Sequence, residues 1–219
     1  MMKHLTTIDI AQMEQRNRAR LINSLSGFKS ANLVGSQDAH GCSNLSMVSS
    51  VFHLGANPAL MGMIIRPGGV PRDTLSNIKQ TKSYTINHVT SEIYRKAHQT
   101  SARYDANVSE FTEVGLTEEY VEGIIAPFVM ESKLKFSLEV REMTQLMINN
   151  TTLVIGEIKH VIVDALGIKS DGYIDIEALD TITVSGLDSY HQTKRLTRLS
   201  YAKPNKHLEK LPLNGGEDA

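Results

Sequence analysis

The stretch GSQDAHGCSNLSMVSSVF, Gly35–Phe52, decides how the surrounding sequence is interpreted. It lies between two apolar runs typical of β-strands, and Asp38 and Gly41 are residues of a short hairpin loop. We therefore predict three strands, over about residues 31–36, 43–53 and 59–66. The middle strand is unusually rich in Ser and Asn, and a buried polar group without a hydrogen-bond partner costs about 1–3 kcal/mol. Backbone, water or a bound ligand could supply the partners.

The pattern outside this stretch predicts short strands with a few helices. Apolar residues at helical spacing indicate one helix over about 8–25, with Asp9 as its N-cap and Gly27 as its stop. Further helices are expected over 73–81 and 91–104, and further strands over 83–89, 133–141 and 153–163. An irregular loop is expected between the helix over 91–104 and about residue 128, and a loose tail after about 204. His160 shares the apolar face of its strand with Ile158 and Ile162, which predicts a histidine buried in the core.

This order of elements lacks the strand–helix alternation of doubly wound folds. We predict a mainly β protein with peripheral helices, built as an antiparallel barrel from one domain over residues 1–219.

Composition excludes several classes of function. The 219 residues carry a net charge of −1 with dispersed basic residues, so no nucleic-acid surface is expected. No apolar run reaches the roughly 18 residues of a membrane helix, and the first residues lack the apolar core of a signal peptide. One cysteine, Cys42, permits no internal disulfide and fits a reducing cytoplasm.

Familiar catalytic motifs are also missing from the sequence. The eight histidines show no HxH or HExxH spacing, so no metal site is predicted. Neither GxSxG, GxGxxG nor a P-loop motif occurs. The sequence identifies no catalytic residue.

An anion site is predicted where the third strand leads into the helix over 73–81. Arg66 ends the strand, Arg72 precedes the helix, and Thr74 lies in its first turn, where unpaired N–H groups attract anions. Asp-Thr at a helix start is also a common cap, so a purely structural role stays open. Together with the Ser/Asn-rich strand, this site would suit a ligand with a phosphate, a polyol chain and a flat polar ring, a description that matches FMN.

Four segments in order carry a resemblance to a known family. They are GSQDAHGCSNLSMVSSVFHLGANPALMGMIIRP, PRDTLSNIKQTKSYTINHV, EVGLTEEYVEGIIAPFVMESKLKFSLEV and LVIGEIKHVIVDALGIKSDGYIDIEALD. Over about residues 9–201 the chain resembles the flavin reductase-like family with the FMN-binding split barrel, and is most similar to its flavoredoxin-like branch. It departs from the family pattern in TRLSYAKP, Thr197–Pro204, which lacks two glycines, and at Ile162, where some members have a second histidine.

The resemblance implies an FMN site in a homodimer. The residues implied along the flavin ring and ribityl chain are Ser36, Asn44, Leu45, Ser46 and Ser49; those implied at the phosphate are Arg66, Arg72 and Thr74. On this hypothesis the flavin pairs the serines of the strand. The expected activity is an NAD(P)H-dependent flavin reductase that takes a hydride from NADH or NADPH. The alternatives are an FMN electron carrier that serves a redox partner protein, or a flavoprotein oxygenase.

Overall fold

The computed structural model describes residues 1–67, 73–105 and 108–214. The helices are α1 (Thr7–Gln12), α2 (Gln15–Leu25), α3 (Asp73–Thr81), α4 (Tyr94–Gln99) and α5 (Glu110–Val114). The strands are β1 (Lys29–Ser30), β2 (Asn32–Gln37), β3 (Ser43–Val48), β4 (Val51–Ala56), β5 (Ala59–Ile65), β6 (Ser83–His88), β7 (Glu118–Glu119), β8 (Phe128–Val129), β9 (Leu134–Leu146), β10 (Thr151–Val163), β11 (Thr183–Ser185), β12 (Ser189–His191), β13 (Arg198–Leu199) and β14 (Lys210–Leu211).

Seven antiparallel strands form the main sheet, in the order β3-β2-β6-β9-β10-β5-β4. Its two edge strands, β3 and β4, are consecutive in the chain and are separated only by Ser49 and Ser50. Ser50 also exchanges hydrogen bonds with Ile64 of β5, through Ile64 N–H to the Ser50 carbonyl at 3.0 Å and the Ser50 hydroxyl to the Ile64 carbonyl at 2.7 Å. The sheet therefore closes on itself, which confirms the predicted antiparallel split barrel.

Alternating side chains of β2 divide the core into two clusters. Val34 points into the barrel and packs with residues such as Ile86, Phe136 and Val154. Leu33 points outward, into a second cluster that includes Val89, which follows β6, and Phe111 from α5. Both faces of this part of the sheet are buried because helices and short strands cover the outside.

The predicted N-terminal helix over 8–25 is two helices. Met13 is extended, and the Glu14 carboxylate accepts hydrogen bonds from the N–H groups of Arg16 and Asn17, which starts α2. Asp9 is not the N-cap as predicted but the third residue of a capping box whose N-cap is Thr6.

The expected buried histidine in β10 is wrong, because His160 is exposed. The register between β9 and β10 shifts between Ile158 and His160, so a β-bulge interrupts the alternation on which the prediction depended. The tail was expected to be loose after about 204; up to Asn214 it instead returns to the body, where β14 pairs with β13.

Candidate functional site

A cavity of about 570 Å³ lies beside the junction of β3 and β4. This size is within the range of ligand pockets in proteins. Its first wall comes from β3, the end of β5 and the start of α3; its second wall comes from residues 98–104, Glu110 and residues 184–190. The lining residues on the first wall are Asn44, Ser46, Met47, Val48, Ser49, Ser50, Ile64, Ile65, Arg66, Pro67 and Thr74.

A chain of hydrogen bonds runs through the first wall. The Thr74 hydroxyl lies 2.7 Å from Asn44 Oδ1 and 2.9 Å from Ser46 Oγ. Ser36 lies behind them, fully buried, and donates to the same Asn44 oxygen at 3.3 Å while accepting from Asn77 Nδ2. Asn44 and Thr74 are each less than one-tenth exposed, so these polar side chains satisfy one another.

Glu110 completes this chain from the second wall. Its Oε2 accepts a hydrogen bond from Asn44 Nδ2 at 2.7 Å and another from the backbone N–H of Leu45 at 2.9 Å. The β3 strand is at the edge of the sheet, where outward N–H groups need partners from elsewhere. The side chain of Leu45 points away, into the outer core cluster. Glu110 therefore ties the edge strand to α5.

Protein partners also exist for other hydroxyls of the polar strand. Ser43 Oγ lies 2.7 Å from Ser109 Oγ and donates to Glu118, and Ser50 donates to the Ile64 carbonyl. Ser49 lines the cavity, and within the described part of the chain its hydroxyl has no hydrogen-bond partner. Most of the serines that raised the question of a ligand are thus paired by the protein itself, without the flavin that the sequence suggested.

Two cations lie at the Arg66 end of the cavity. Arg66 donates one hydrogen bond, to Asn23 Oδ1 at 2.8 Å. No carboxylate among the described side chains forms an ion pair with it. Lys29 donates to the carbonyls of Asn23 and Gly186, and burial, together with the nearby Arg66 charge, lowers the pKa of its ammonium. The predicted Arg72 lies outside the described residues.

Aromatic and polar side chains form much of the second wall. His98 Nδ1 lies 2.8 Å from the Tyr190 hydroxyl, and the two rings meet edge to face. Burial and the nearby Asp188 charge raise the pKa of Tyr190, which keeps its hydroxyl protonated. Arg103 and Tyr104 line the cavity beside them.

The structure brings most of the predicted site residues together. Asn44, Ser46, Ser49, Arg66 and Thr74 line the cavity, whereas Ser36 and Leu45 lie behind the wall. Sequence reasoning missed Glu110, His98 and Tyr190. Glu110 belongs to a five-residue helix inside a stretch expected to be irregular, and only its place in the first turn, next to Ser109, could have indicated it.

The fold and this cavity agree with a match to a family model, the flavin reductase like domain, over residues 28–173. The chain belongs to this family. Among solved structures, a candidate flavin reductase with a split barrel domain from Shewanella frigidimarina NCIMB 400 is 57% identical, with a TM-score of 0.89, over 91% of this chain and all of that one.

More distant solved structures share the fold. Nitrilotriacetate monooxygenase component B from Bacillus cereus is 20% identical, with a TM-score of 0.80, over 90% of this chain and all of that one. The flavoredoxin of Desulfovibrio vulgaris (Miyazaki F) is 22% identical, with a TM-score of 0.68, over 82% of this chain and 92% of that one. A curated relative from Aquifex aeolicus (strain VF5) is 32% identical over 69 residues, so the match spans 32% of this chain and about a third (35%) of that protein.

Two features are absent from the residues that the structure describes. None of the helices there is long and apolar enough to cross a membrane. No group of three or more His, Cys, Asp or Glu side chains in residues 1–67, 73–105 and 108–214 is arranged to hold a metal ion.

Proposed function

We propose that this protein binds FMN in the cavity between β3 and α4 and acts as an NAD(P)H-dependent flavin reductase. The observation that supports this most directly is the cavity itself, because it combines a hydroxyl-rich wall, an apolar strip and a cationic end in one family-typical barrel. Family membership supports a flavin, and the relative at 57% identity supports a reductase.

The residues present fit the three parts of the cofactor. Arg66, with Lys29 close by, would hold the phosphate, since guanidinium groups bind phosphate oxygens well. Ser46 and Ser49 would face the ribityl chain, and Met47, Val48, Ile64 and Ile65 provide apolar surface for the ring. The flavin, when bound, supplies the capacity to accept a hydride from NADH or NADPH. The protein's part is to bind, orient and shield it, so a dedicated acid–base pair is not required.

We also propose that the protein is a cytoplasmic homodimer with the cavity near the interface. Leu187 lines the cavity and is 42% exposed, and Phe28, next to Lys29, is 63% exposed. Large exposed apolar side chains beside a binding site are typical of an interaction surface. Light scattering of the purified protein at several concentrations tests the dimer, and a monomer throughout would refute it.

An absorbance spectrum followed by an anaerobic titration with NADH and NADPH tests the proposed activity. We expect flavin bands, or bands after FMN is added, that bleach in proportion to one of the two nucleotides. Bands that bleach with dithionite but not with either nucleotide would replace the reductase with an electron carrier. A protein that stays colourless in the presence of FMN would refute the flavin site as well.

A further inference from the structure

The second wall of the cavity carries hydrogen-bond donors that the protein itself does not use. Within the described part of the chain, the Arg103 guanidinium has neither a hydrogen bond nor an ion pair, and the Ser101 hydroxyl has no hydrogen-bond partner. His98 uses only Nδ1, toward the Tyr190 hydroxyl. Because Ser101, Arg103 and His98 all line the cavity, this wall offers a cation and a hydroxyl to a ligand.

The turn that follows α4 fixes the backbone of these residues. The Ser101 N–H donates to the His98 carbonyl at 3.0 Å, and the Ala102 N–H donates to the Gln99 carbonyl at 3.0 Å. Unpaired carbonyls at the end of a helix disfavour anions. Here these two carbonyls already accept hydrogen bonds, so the repulsion that an anion would meet beside Arg103 is reduced.

Arg103 is separate from the cations at the other end of the cavity. Arg66 lies on the first wall and donates to Asn23 Oδ1 at 2.8 Å. Burial, and then the charge of Arg66, lower the pKa of Lys29, and Arg103 makes no contribution to that shift. The cavity therefore has two distinct cationic points, whereas FMN carries a single phosphate.

We infer that Arg103, together with Ser101, binds a phosphate group of the nicotinamide nucleotide that reduces the flavin. This inference rests on the proposed function and adds the place where the electron donor is held. A guanidinium binds phosphate oxygens through two parallel N–H groups. NADH carries a pyrophosphate and NADPH carries an additional 2′-phosphate, and both have the chemistry that Arg103 recognises.

Tyr104 gives this subsite a flat apolar surface beside the cation. It is half-buried and lines the cavity, and its hydroxyl accepts a hydrogen bond from Gln99 Nε2 at 3.2 Å. Nucleic-acid bases stack on aromatic side chains of this kind. An aromatic ring next to a phosphate-binding residue therefore suits a nucleotide better than it suits a simple anion.

Dissociation constants of FMN and of two unreactive nucleotides test the inference. Tetrahydro-NADH and tetrahydro-NADPH carry the phosphates of the natural donors but no transferable hydride, so calorimetry on the FMN-loaded protein measures binding alone. We expect R103A to weaken nucleotide binding about tenfold, because a charge-assisted contact is lost, and to leave FMN binding unchanged. R66A should instead weaken the binding of FMN.

The pattern of loss in R103A identifies the phosphate. An equal loss for both nucleotides would assign Arg103 to the pyrophosphate, and a loss confined to tetrahydro-NADPH would assign it to the 2′-phosphate; both results support the inference. R103A that binds both nucleotides like the wild type would overturn it. A loss of FMN binding in R103A as large as that in R66A would also overturn it, since Arg103 would then hold the FMN phosphate.

Two further variants separate a specific contact from general attraction by charge. R103K keeps the charge but loses the planar fork, so we expect an intermediate loss of about threefold. R95A is the matched control, because Arg95 is exposed on α4, lies outside the cavity lining and donates to the Tyr94 hydroxyl. It should bind every ligand like the wild type. Nucleotide binding weakened equally in R95A and R103A would contradict a site at Arg103.

The two proposals fail in different ways. Wild-type protein that binds no FMN, or that binds FMN but neither nucleotide, would refute the proposed function and this inference with it. Wild-type protein that binds all three ligands while R103A binds them equally well would refute only the inference. Arg103 is exposed, so its replacement removes no core contact, and an unchanged melting temperature checks that R103A is folded.

Discussion

The first wall of the cavity and the interior of the barrel both bury hydroxyl groups, but they differ in whether those groups have hydrogen-bond partners. In the wall, Ser36, Asn44 and Thr74 satisfy one another and Glu110. In the interior, the hydroxyl of fully buried Tyr84 has no hydrogen-bond partner within the described part of the chain. It occupies the space above Gly156, where an added Cβ would lie only 2.3 Å from the oxygen.

This difference indicates what each region contributes. The unpaired Tyr84 hydroxyl costs free energy of folding, and the barrel tolerates that cost because the ring fills its core. Among the described residues the wall has no such unpaired group on a buried side chain, so its geometry exists before any ligand arrives. A preformed polar wall lowers the ordering cost of binding.

Asn44 should be the most sensitive member of the wall. We expect N44A to lower the free energy of unfolding by about 3 kcal/mol, because it removes three buried hydrogen bonds at once, to Ser36, Thr74 and Glu110. Urea unfolding measures this. A loss below about 1 kcal/mol would show that the wall is not a cooperative network and would remove the contrast with the interior.

In the interior of the barrel, an added methyl group should lower the stability more than removal of the unpaired Tyr84 hydroxyl does. We expect G156A to cost about 2 kcal/mol, because its Cβ would meet Tyr84 Oη at 2.3 Å and Cζ at 2.9 Å. G55A is the control, since the nearest atom there, the Pro58 carbonyl oxygen, is 3.4 Å away. Equal melting temperatures for the two variants would show that Tyr84 moves freely.

His88 makes the stability of the barrel interior depend on pH. It is near the interior, its ring meets Phe136 edge to face, and Thr181 Oγ1 is 3.5 Å from Nδ1. Burial lowers the pKa of His88 from 6.5 to about 4. The unfolded chain therefore takes up a proton first as the pH falls, and stability should decrease between pH 6.5 and 4, by at most about 1.4 kcal/mol per pH unit.

Urea unfolding of H88Q at the same pH values isolates this effect. The variant should lose that part of the slope, whereas H160Q, at an exposed position, should keep it. Identical slopes for H88Q and the wild type would mean that His88 accepts a proton in the folded state.

The smallest expected effect is that of Y84F. Because the Tyr84 hydroxyl has no partner among the residues that the structure describes, its removal should change the free energy of unfolding by less than about 0.5 kcal/mol or increase it. Burial raises the pKa of this phenol, so the hydroxyl is neutral in the folded protein. A loss above about 1 kcal/mol would show that Tyr84 has a partner after all.

Elements with a strong local pattern were predictable from the sequence. The helix Asp73–Thr81 begins and ends where its capping and apolar residues indicated, and β9 shows the predicted alternation. The first part of its polar face is buried as well, at Lys135 and Ser137, because β7 and β8 cover it and Glu119 pairs with Lys135. That cover depends on contacts between segments far apart in sequence, and the alternation in β9 alone carries no sign of it.

The parts that the sequence missed depend on interruptions and on tertiary contacts. The predicted strand over 43–53 is two strands, and the break at Ser49–Ser50 both closes the barrel and opens the cavity. Ser–Ser has no breaker signal, so the break was not predictable. The role of Glu110 was not predictable for a similar reason, since its five-residue helix has too few turns to show periodicity.

The central claim is that flavin binds in this cavity, and an FMN titration of wild type and S49W tests it most directly. Ser49 is half-buried and lines the cavity, so a tryptophan there would fill it. We predict quenching of FMN fluorescence by the wild type with one FMN per chain, and its loss in S49W at an unchanged melting temperature. H53W, exposed on β4, should bind like the wild type. FMN binding by S49W with wild-type affinity would contradict the claim.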